Sequence, residues 1–419
     1  MLIIKKRQCT LFLLAACILF CVFPASDFVI NGYLIVWFFA ALCLLYERKI
    51  RIQRALFPTS SLVYAFTVVV SYLYHFTGNV SISNIIGFVV CFFVVPITIA
   101  SVLRSKQDFE NVLQKLLYFA LAYALLGFME EFSGLNVFDI IFNRSITVMG
   151  ANSLRLGLHR SYGVMTVSIN NAMFVSMLWM LCSYKRISSQ DERKINKIIW
   201  WVLAIYVYLI LSRTIILVAT GAQIILFLLN DKIKIRKRNL IIFPKVGLIA
   251  LAFKKKILSV IDSLKSIFMP LLIELATGEN AYGGSGQRKQ LFSWVMQSMN
   301  QKYAFGVGYR TKFSYGYIDQ NNLGEKFSRV KESIENTFLY VFYQKGVFGV
   351  FGFVSYLLGI LLQMMQYKRK YKKDVLNEAV FLIFIMYLIA IFTFSANEEL
   401  RLFYVLVALF RIYNNTWKR

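Results

Sequence analysis

Apolar runs of bilayer length recur from end to end of this chain, and that recurrence leaves few folds open. About 20 residues of helix cross a hydrocarbon core, and only helices or closed barrels leave no backbone group unpaired in lipid. Candidate spans lie near 9–25, 28–46, 57–76, 82–103, 112–129, 163–183, 197–211, 214–230, 240–253, 338–366, 377–394 and 401–413, of which 240–253 and 401–413 are short. With 58% hydrophobic residues and a mean hydropathy of +0.60, a soluble protein of this length has too few polar groups for its surface. The expectation is an all-α polytopic membrane protein of about twelve transmembrane helices, a single integral membrane domain over residues 1–419. Gly and Pro are sparse within the spans, which weakens the discontinuous-helix signature of many secondary transporters.

One long polar interruption, residues 254–334, breaks the pattern. The net charge of +26 is distributed by topology rather than gathered for nucleic acid. Basic clusters recur in alternate loops: Lys5 to Arg7; Arg48, Lys49, Arg51 and Arg54; Arg104 and Lys106; Lys185 to Lys197; Lys232 to Arg238; Lys368 to Lys373; and Lys418 with Arg419. By the positive-inside rule both termini are cytoplasmic, and the partner for much of this charge is anionic membrane lipid. The opposite loops, 24–28, 75–81, 130–162, the turn at Ser212 and Arg213, 254–334 and 395–400, then face outward. The first basic cluster and apolar run resemble a signal peptide, but the spans that follow at once favour an uncleaved first helix. All six cysteines fall in or at the ends of predicted spans, so structural disulfides are not expected, and no CxxC metal site exists.

Within the long loop, Ile257 to Leu275 carries apolar residues at helical spacing and reads as an interfacial helix. A Gly-rich run from Thr277 to Gly286 follows, then a second amphipathic helix over Arg288 to Asn300. Phe292, Trp294, Tyr303, Phe305, Tyr309, Phe313, Tyr315 and Tyr317 gather here, suited both to sugar faces and to the membrane interface.

The outer loops break the charge rule in one way. Arg144, Arg155, Arg160, Arg213, Arg288 and Arg310 stand where basic residues should be rare. Guanidinium groups bind phosphate bidentately, so several around one cavity suit a diphosphate at the membrane surface. The plainer reading of each is a headgroup contact or an ion pair. Glu335, where the loop returns to apolar sequence, is positioned to accept a proton from a sugar hydroxyl; equally, Ser333 can cap a helix there with Glu335 in its first turn. His75 and His159 lie in separate loops, and no zinc, Walker, GxGxxG or GxSxG pattern occurs. The Asp-x-Asp signature of nucleotide-sugar transferases is also absent.

The order of short motifs carries more than any one of them. Arg160, Ser161, Tyr162 and Gly163 precede Asn170, Asn171 and Ala172; then come Ser212, Arg213 and Thr214. Later stand Arg288 with Trp294, then Phe305 to Gly308, Glu335 to Leu339, and Lys345 to Gly349. Over residues 160 to 365 this resembles the O-antigen polymerase and O-antigen ligase superfamily of bacterial envelope proteins, which includes the Wzy polymerases. The resemblance implies a GT-C-like architecture with a large periplasmic loop at the bacterial inner membrane. It implies glycan transfer from undecaprenyl diphosphate, with lipid-linked donor and acceptor as partners, a chain-length regulator protein alongside, and no cofactor or metal. Arg288 and Arg213 become ligands for the donor diphosphate, with Arg160 in support and Arg310, Asn170, Asn336 and Trp294 lining the substrate site. Glu335 becomes the candidate base, with Arg288 the other catalytic residue. The ligase branch carries His where this chain has Glu335, which favours a polymerase. The alternatives are a ligase acting on lipid A-core, a polysaccharide flippase, against which the span interiors are nearly free of charge apart from Lys245, and a membrane acyltransferase.

Overall fold

The computed structural model describes residues 2–21, 32–48, 50–74, 82–142, 159, 161–165, 168–188, 194–210, 212–230, 285–309, 311, 313–320, 326–331, 334, 336–371, 374–393 and 401–416. The described helices are α1 (Leu2–Cys21), α2 (Gly32–Glu47), α3 (Thr59–Tyr74), α4 (Ile82–Val89), α5 (Val95–Val102), α6 (Lys106–Ser133), α7 (Val137–Phe142), α8 (Ser168–Ser188), α9 (Lys194–Leu209), α10 (Arg213–Leu229), α11 (Ser285–Ser298), α12 (Thr337–Lys370), α13 (Val375–Thr393) and α14 (Arg401–Thr416). A described helix overlaps each predicted span except 240–253, which lies outside the described residues, as does the predicted helix 257–275. Among the described residues three segments, Ile85–Val102, Lys106–Ser133 and Thr337–Lys370, are long and apolar enough to cross a membrane. The first joins α4 to α5 through a π-helical turn at Val90–Val94, just before Pro96, whose missing N–H removes one α-helical bond.

The expectation of an all-α chain needs one correction. Tyr315–Gln320 and Lys326–Lys331 form an antiparallel hairpin, with Tyr315 opposite Lys331 and Gln320 opposite Lys326. Alternation of aromatic and polar residues around Asn321, Asn322 and Gly324 was the available signal, and it has a period of two rather than 3.6.

Helix α6 runs the length of the bundle and is fastened at both ends. At its start Ser105 and Asp108 form a capping box, with Asp108 N donating to Ser105 Oγ over 3.2 Å and Ser105 N to Asp108 Oδ2 over 3.1 Å. Asp108 also receives Arg7 at 2.5 Å, and the nearly buried Glu47 pairs with both Arg7 and Arg104. Lys185 of α8 pairs with Glu110 one half-turn further along α6. Residues of several basic loops thus meet at one end of the bundle. At roughly 1.5 Å per residue, the 28 residues of α6 carry its other end about 42 Å away.

Helix α12 is broken in its third turn, although glycine there gave no sequence warning of a discontinuous helix. Gly346 takes φ 64° and ψ −164°. A continuous helix would bond Val347 N to Tyr343 O and Phe348 N to Gln344 O. Here all four groups turn to the segment 303–308. Val307 N donates to Tyr343 O over 2.8 Å and Gly308 N to Gln344 O over 3.0 Å, while Val347 N donates to Tyr303 O over 2.9 Å and Phe348 N to Ala304 O over 3.2 Å. Ser71 Oγ of α3 adds a bond to Gln344 O over 3.1 Å. The backbones approach so closely that a Cβ on Gly346 would lie 2.3 Å from Ala304 O, and one on Gly306 2.3 Å from the Gln344 carbonyl carbon. This clasp explains two motifs at once, because each supplies what the other lacks.

Replacing Gly346 by Ala should therefore cost about 1–3 kcal/mol from the backbone conformation alone, plus the clash. Gly221→Ala, in helix α10 with nothing near the added methyl, should be neutral or mildly stabilising. Thermal unfolding of the two purified variants in one detergent checks this; equal melting temperatures would remove the clasp as a source of stability.

Candidate active site

At the far end of α6, two adjacent carboxylates, Glu130 and Glu131, are 4% and 0% exposed. Burial of a carboxylate is costly unless donors surround it. Glu130 Oε1 accepts from Asn136 Nδ2 at 3.0 Å and Tyr162 N at 2.9 Å; Oε2 accepts from Ser161 Oγ at 2.6 Å and Gly163 N at 3.0 Å. Glu131 Oε1 accepts from Ser161 N at 2.9 Å, and its carbonyl from His159 N at 3.1 Å. Asp139 of α7 receives the Tyr162 hydroxyl.

The network continues into the bundle with a defined sense. Ser161 gives its single proton to Glu130, so the Tyr206 hydroxyl donates to Ser161 Oγ over 2.7 Å. Asn171 Nδ2 donates to Tyr206 over 3.0 Å, the Tyr123 hydroxyl donates to Asn171 Oδ1 over 2.7 Å, and Val164 N donates to Tyr123 over 3.1 Å. Asn171, rather than Asn170, is thus the asparagine that ties the 161–164 segment to α6, α8 and α9. Asn170 is 8% exposed, and its Oδ1 has no hydrogen-bond partner among the described residues. Arg160 itself lies outside the described residues.

The remaining candidates fall on α10, α11 and α12. Arg213 opens α10, behind Ser212, whose side chain makes no cap bond; Arg288 stands in the first turn of α11. Neither helix has an acidic residue in its first turn. A cation at that end opposes the helix dipole by about 0.3–1 kcal/mol, so neither arginine is there for the sake of its helix. Helix N-termini with free amide donors accept anions, and an adjacent guanidinium strengthens that preference.

Helix α12 begins at Thr337, and its cap is Asn336 rather than Ser333: Leu339 N donates to Asn336 Oδ1 over 3.1 Å. Glu335 and Arg310 lie outside the described residues. Trp294 is 6% exposed and stacks on Tyr315, with centroids 5.5 Å apart, in a small core with Leu291, Val295, Met299, Phe313, Ile334 and Tyr343. Tyr309 is buried and Phe305 packs on Tyr74 and Phe348, whereas Phe292 and Tyr303 stay exposed. Most of the loop's aromatics therefore hold it together.

The expectation that span interiors are nearly free of charge does not hold. Lys345 is fully buried in α12, its ammonium 5.1 Å from the Tyr64 ring centroid and 5.2 Å from that of Tyr309. Arg411 of α14 is 4% exposed and donates to Gln363 Oε1, Leu56 O and Ser61 Oγ. Lys345 entered the sequence reading only as part of the 345–349 motif and Arg411 not at all, because each sits singly inside an apolar run. Glu130 and Glu131 were missed because the predicted span ended at 129. A second signal was available, since paired carboxylates at a span end are expensive. Among the described residues no cluster of His, Cys, Asp and Glu could hold a metal ion.

Residues 198–354 match the family described as O-antigen ligase. The match supports the O-antigen polymerase and ligase superfamily, and with it a role in surface polysaccharide synthesis by a glycan-transferring enzyme. It gives no support to a flippase. Among curated proteins none matches the chain. The matched range contains Arg213, Arg288, Trp294, Arg310, Glu335, Asn336 and the clasp, and leaves out Arg160 and Asn170.

Trp294→Ala should empty the small core, at a cost of about 3–5 kcal/mol by analogy with other buried aromatics. Limited proteolysis of membranes exposing the loop should then cut within 285–334 faster than in the parent. Lost activity with an unchanged cleavage pattern would instead mark Trp294 as a substrate contact.

Proposed function

We propose that this protein is a membrane glycosyltransferase that polymerises undecaprenyl-diphosphate-linked oligosaccharide repeat units into a surface polysaccharide at the periplasmic face of the inner membrane. The observation that carries the reading is the placing of Arg213 and Arg288 in the first turns of α10 and α11, against the helix dipole and inside the matched range. Arginine and the free amides of a helix N-terminus are the donors that a diphosphate takes.

In the proposed step an acceptor-sugar hydroxyl oxygen bonds to the anomeric carbon of the donor glycan. The bond from that carbon to the diphosphate oxygen breaks, and the electron pair leaves with undecaprenyl diphosphate. Arg288 and Arg213, aided by Arg160 and Arg310, stabilise the charge that develops there. Glu335 takes the hydroxyl proton. Asn336 contributes by starting α12 beside it, and Asn170 faces the acceptor. No metal or cofactor enters this scheme. The partners are the two lipid-linked glycans, membrane lipids and a chain-length regulator.

Transfer of finished glycan to lipid A-core is the second reading, favoured by the description of the matched family. Complementation of a strain lacking its own copy separates the two. Glu335→Gln and Arg288→Ala, expressed at parental levels, should each reduce the lipopolysaccharide ladder to a single repeat. Loss of all capped core would point to the ligase, and a full ladder from either variant would overturn its assignment.

A further inference from the structure

Arg7, Arg104 and Lys185 each meet a carboxylate, whereas Arg411, only 4% exposed, pairs with none among the described residues. Three of its five N–H groups donate to neutral acceptors: Nε to Gln363 Oε1 over 3.0 Å, Nη1 to Leu56 O over 2.8 Å and Nη2 to Ser61 Oγ over 3.1 Å. These bonds replace lost hydration but leave the charge, and a lone charge inside a helix bundle is expensive. Beside the guanidinium lies a cavity of about 10 Å³, the room taken by one water-sized particle, lined by Leu56, Phe57, Phe92, Tyr356, Tyr404 and Arg411. Tyr356 is 2% exposed, and its hydroxyl bonds to no described residue. The Tyr404 hydroxyl is engaged with that of Tyr64, 3.2 Å away. Phe92 belongs to the π-helical turn at Val90–Val94, a helix defect found often at functional sites.

We propose that this cavity is a binding site for a monatomic anion such as chloride, held by Arg411 and the Tyr356 hydroxyl. The inference is independent of the transfer reaction. The donors decide the chemistry: one N–H on each terminal nitrogen of Arg411 remains after the three bonds above, and Tyr356 supplies an O–H. A water molecule accepts from two of these groups and leaves the positive charge in place. Chloride accepts from all three and cancels the charge. The other lining side chains are aromatic or aliphatic, apart from the Tyr404 hydroxyl, and none carries a competing charge. Size sets the class of ion, because a phosphate, free or on a lipid, exceeds a space for one water. The site draws α14, α12, the turn at Arg54–Leu56 and the π-helical turn to one point. A bound anion there stabilises the packing of the last helix against the first third of the chain.

The test is thermal unfolding of the purified full-length chain in detergent, exchanged into sodium gluconate and titrated with sodium chloride at constant ionic strength. Chloride should raise the melting temperature by about 2–4 °C, with a saturating dependence on concentration. Bromide, of like charge and similar radius, should reproduce the rise. Tyr356→Phe removes the hydroxyl alone and should shift the half-saturating chloride concentration upward by about tenfold, the loss of one hydrogen bond to a charged group. Arg411→Gln should abolish the response. Equal melting temperatures in chloride and gluconate, as expected if the cavity holds only water, would overturn the proposal. So would a chloride response left unchanged by Tyr356→Phe, which would mark an effect of the ion elsewhere on the protein. Should Arg411→Gln fail to accumulate, the Tyr356→Phe titration decides by itself.

Discussion

Backbone hydrogen-bond closure at Gly346 is the constraint on which the outer part of this molecule depends. A helix interrupted inside an apolar bundle exposes two carbonyls and two amides, each costing several kcal/mol if left unpaired in lipid. The four groups from Tyr303, Ala304, Val307 and Gly308 meet that demand one for one. The consequence is directional. The first turns of α12 are set by the loop and not by the rest of the helix, and Asn336, Ile334 and the small core around Trp294 are carried with them. The loop is therefore part of the membrane fold, since its removal would leave α12 either unsatisfied or rebuilt as a straight helix.

A second constraint is electrostatic and works at both ends of α6. At one end Arg7 and Arg104 neutralise Glu47 and Asp108. At the other, Glu130 has no cation among its bonded partners in the described residues, and amide and hydroxyl dipoles compensate it. These are different solutions to the same cost. Ion pairs tolerate some rearrangement, whereas four converging donors specify one backbone path. That difference suits an end that must hold a loop in register, and the Glu130 end is the one that carries the 161–163 motif.

The coarse helical architecture was legible because long apolar runs announce themselves, and among the described residues Ile85–Val102, Lys106–Ser133 and Thr337–Lys370 are long and apolar enough to cross a membrane. The amphipathic helix at 285–298 was equally legible from its spacing. What escaped was non-local. Gly346 reads as an ordinary helix glycine until the segment at 303–308 is seen to fill the gap, and no periodicity connects residues about 40 positions apart. Lys345 and Arg411 were hidden by averaging over apolar windows, since the physical reason for each lies on another helix, in Tyr64 and Ser61 respectively. Several of the motif residues are joinery: Asn336 caps, Asn171 braces, Gly306 admits a neighbouring backbone and Gly308 bonds to it.

On the proposed reading, this division of labour also bears on how much chemistry Glu335 has to supply. An ordinary carboxylate titrates near 4.3 and an imidazole near 6.5, so glutamate in place of histidine is the weaker base. A reaction that relied on early removal of the acceptor proton would be poorly served by an ordinary carboxylate. Glycosyl transfer through an oxocarbenium-like transition state makes a smaller demand, because the bond to the leaving group is largely broken before the hydroxyl becomes acidic. On that reading the rate depends chiefly on charge stabilisation at the departing diphosphate, the part proposed for the arginines. A carboxylate at 335 fits that chemistry as the group that orients the incoming hydroxyl and collects its proton late.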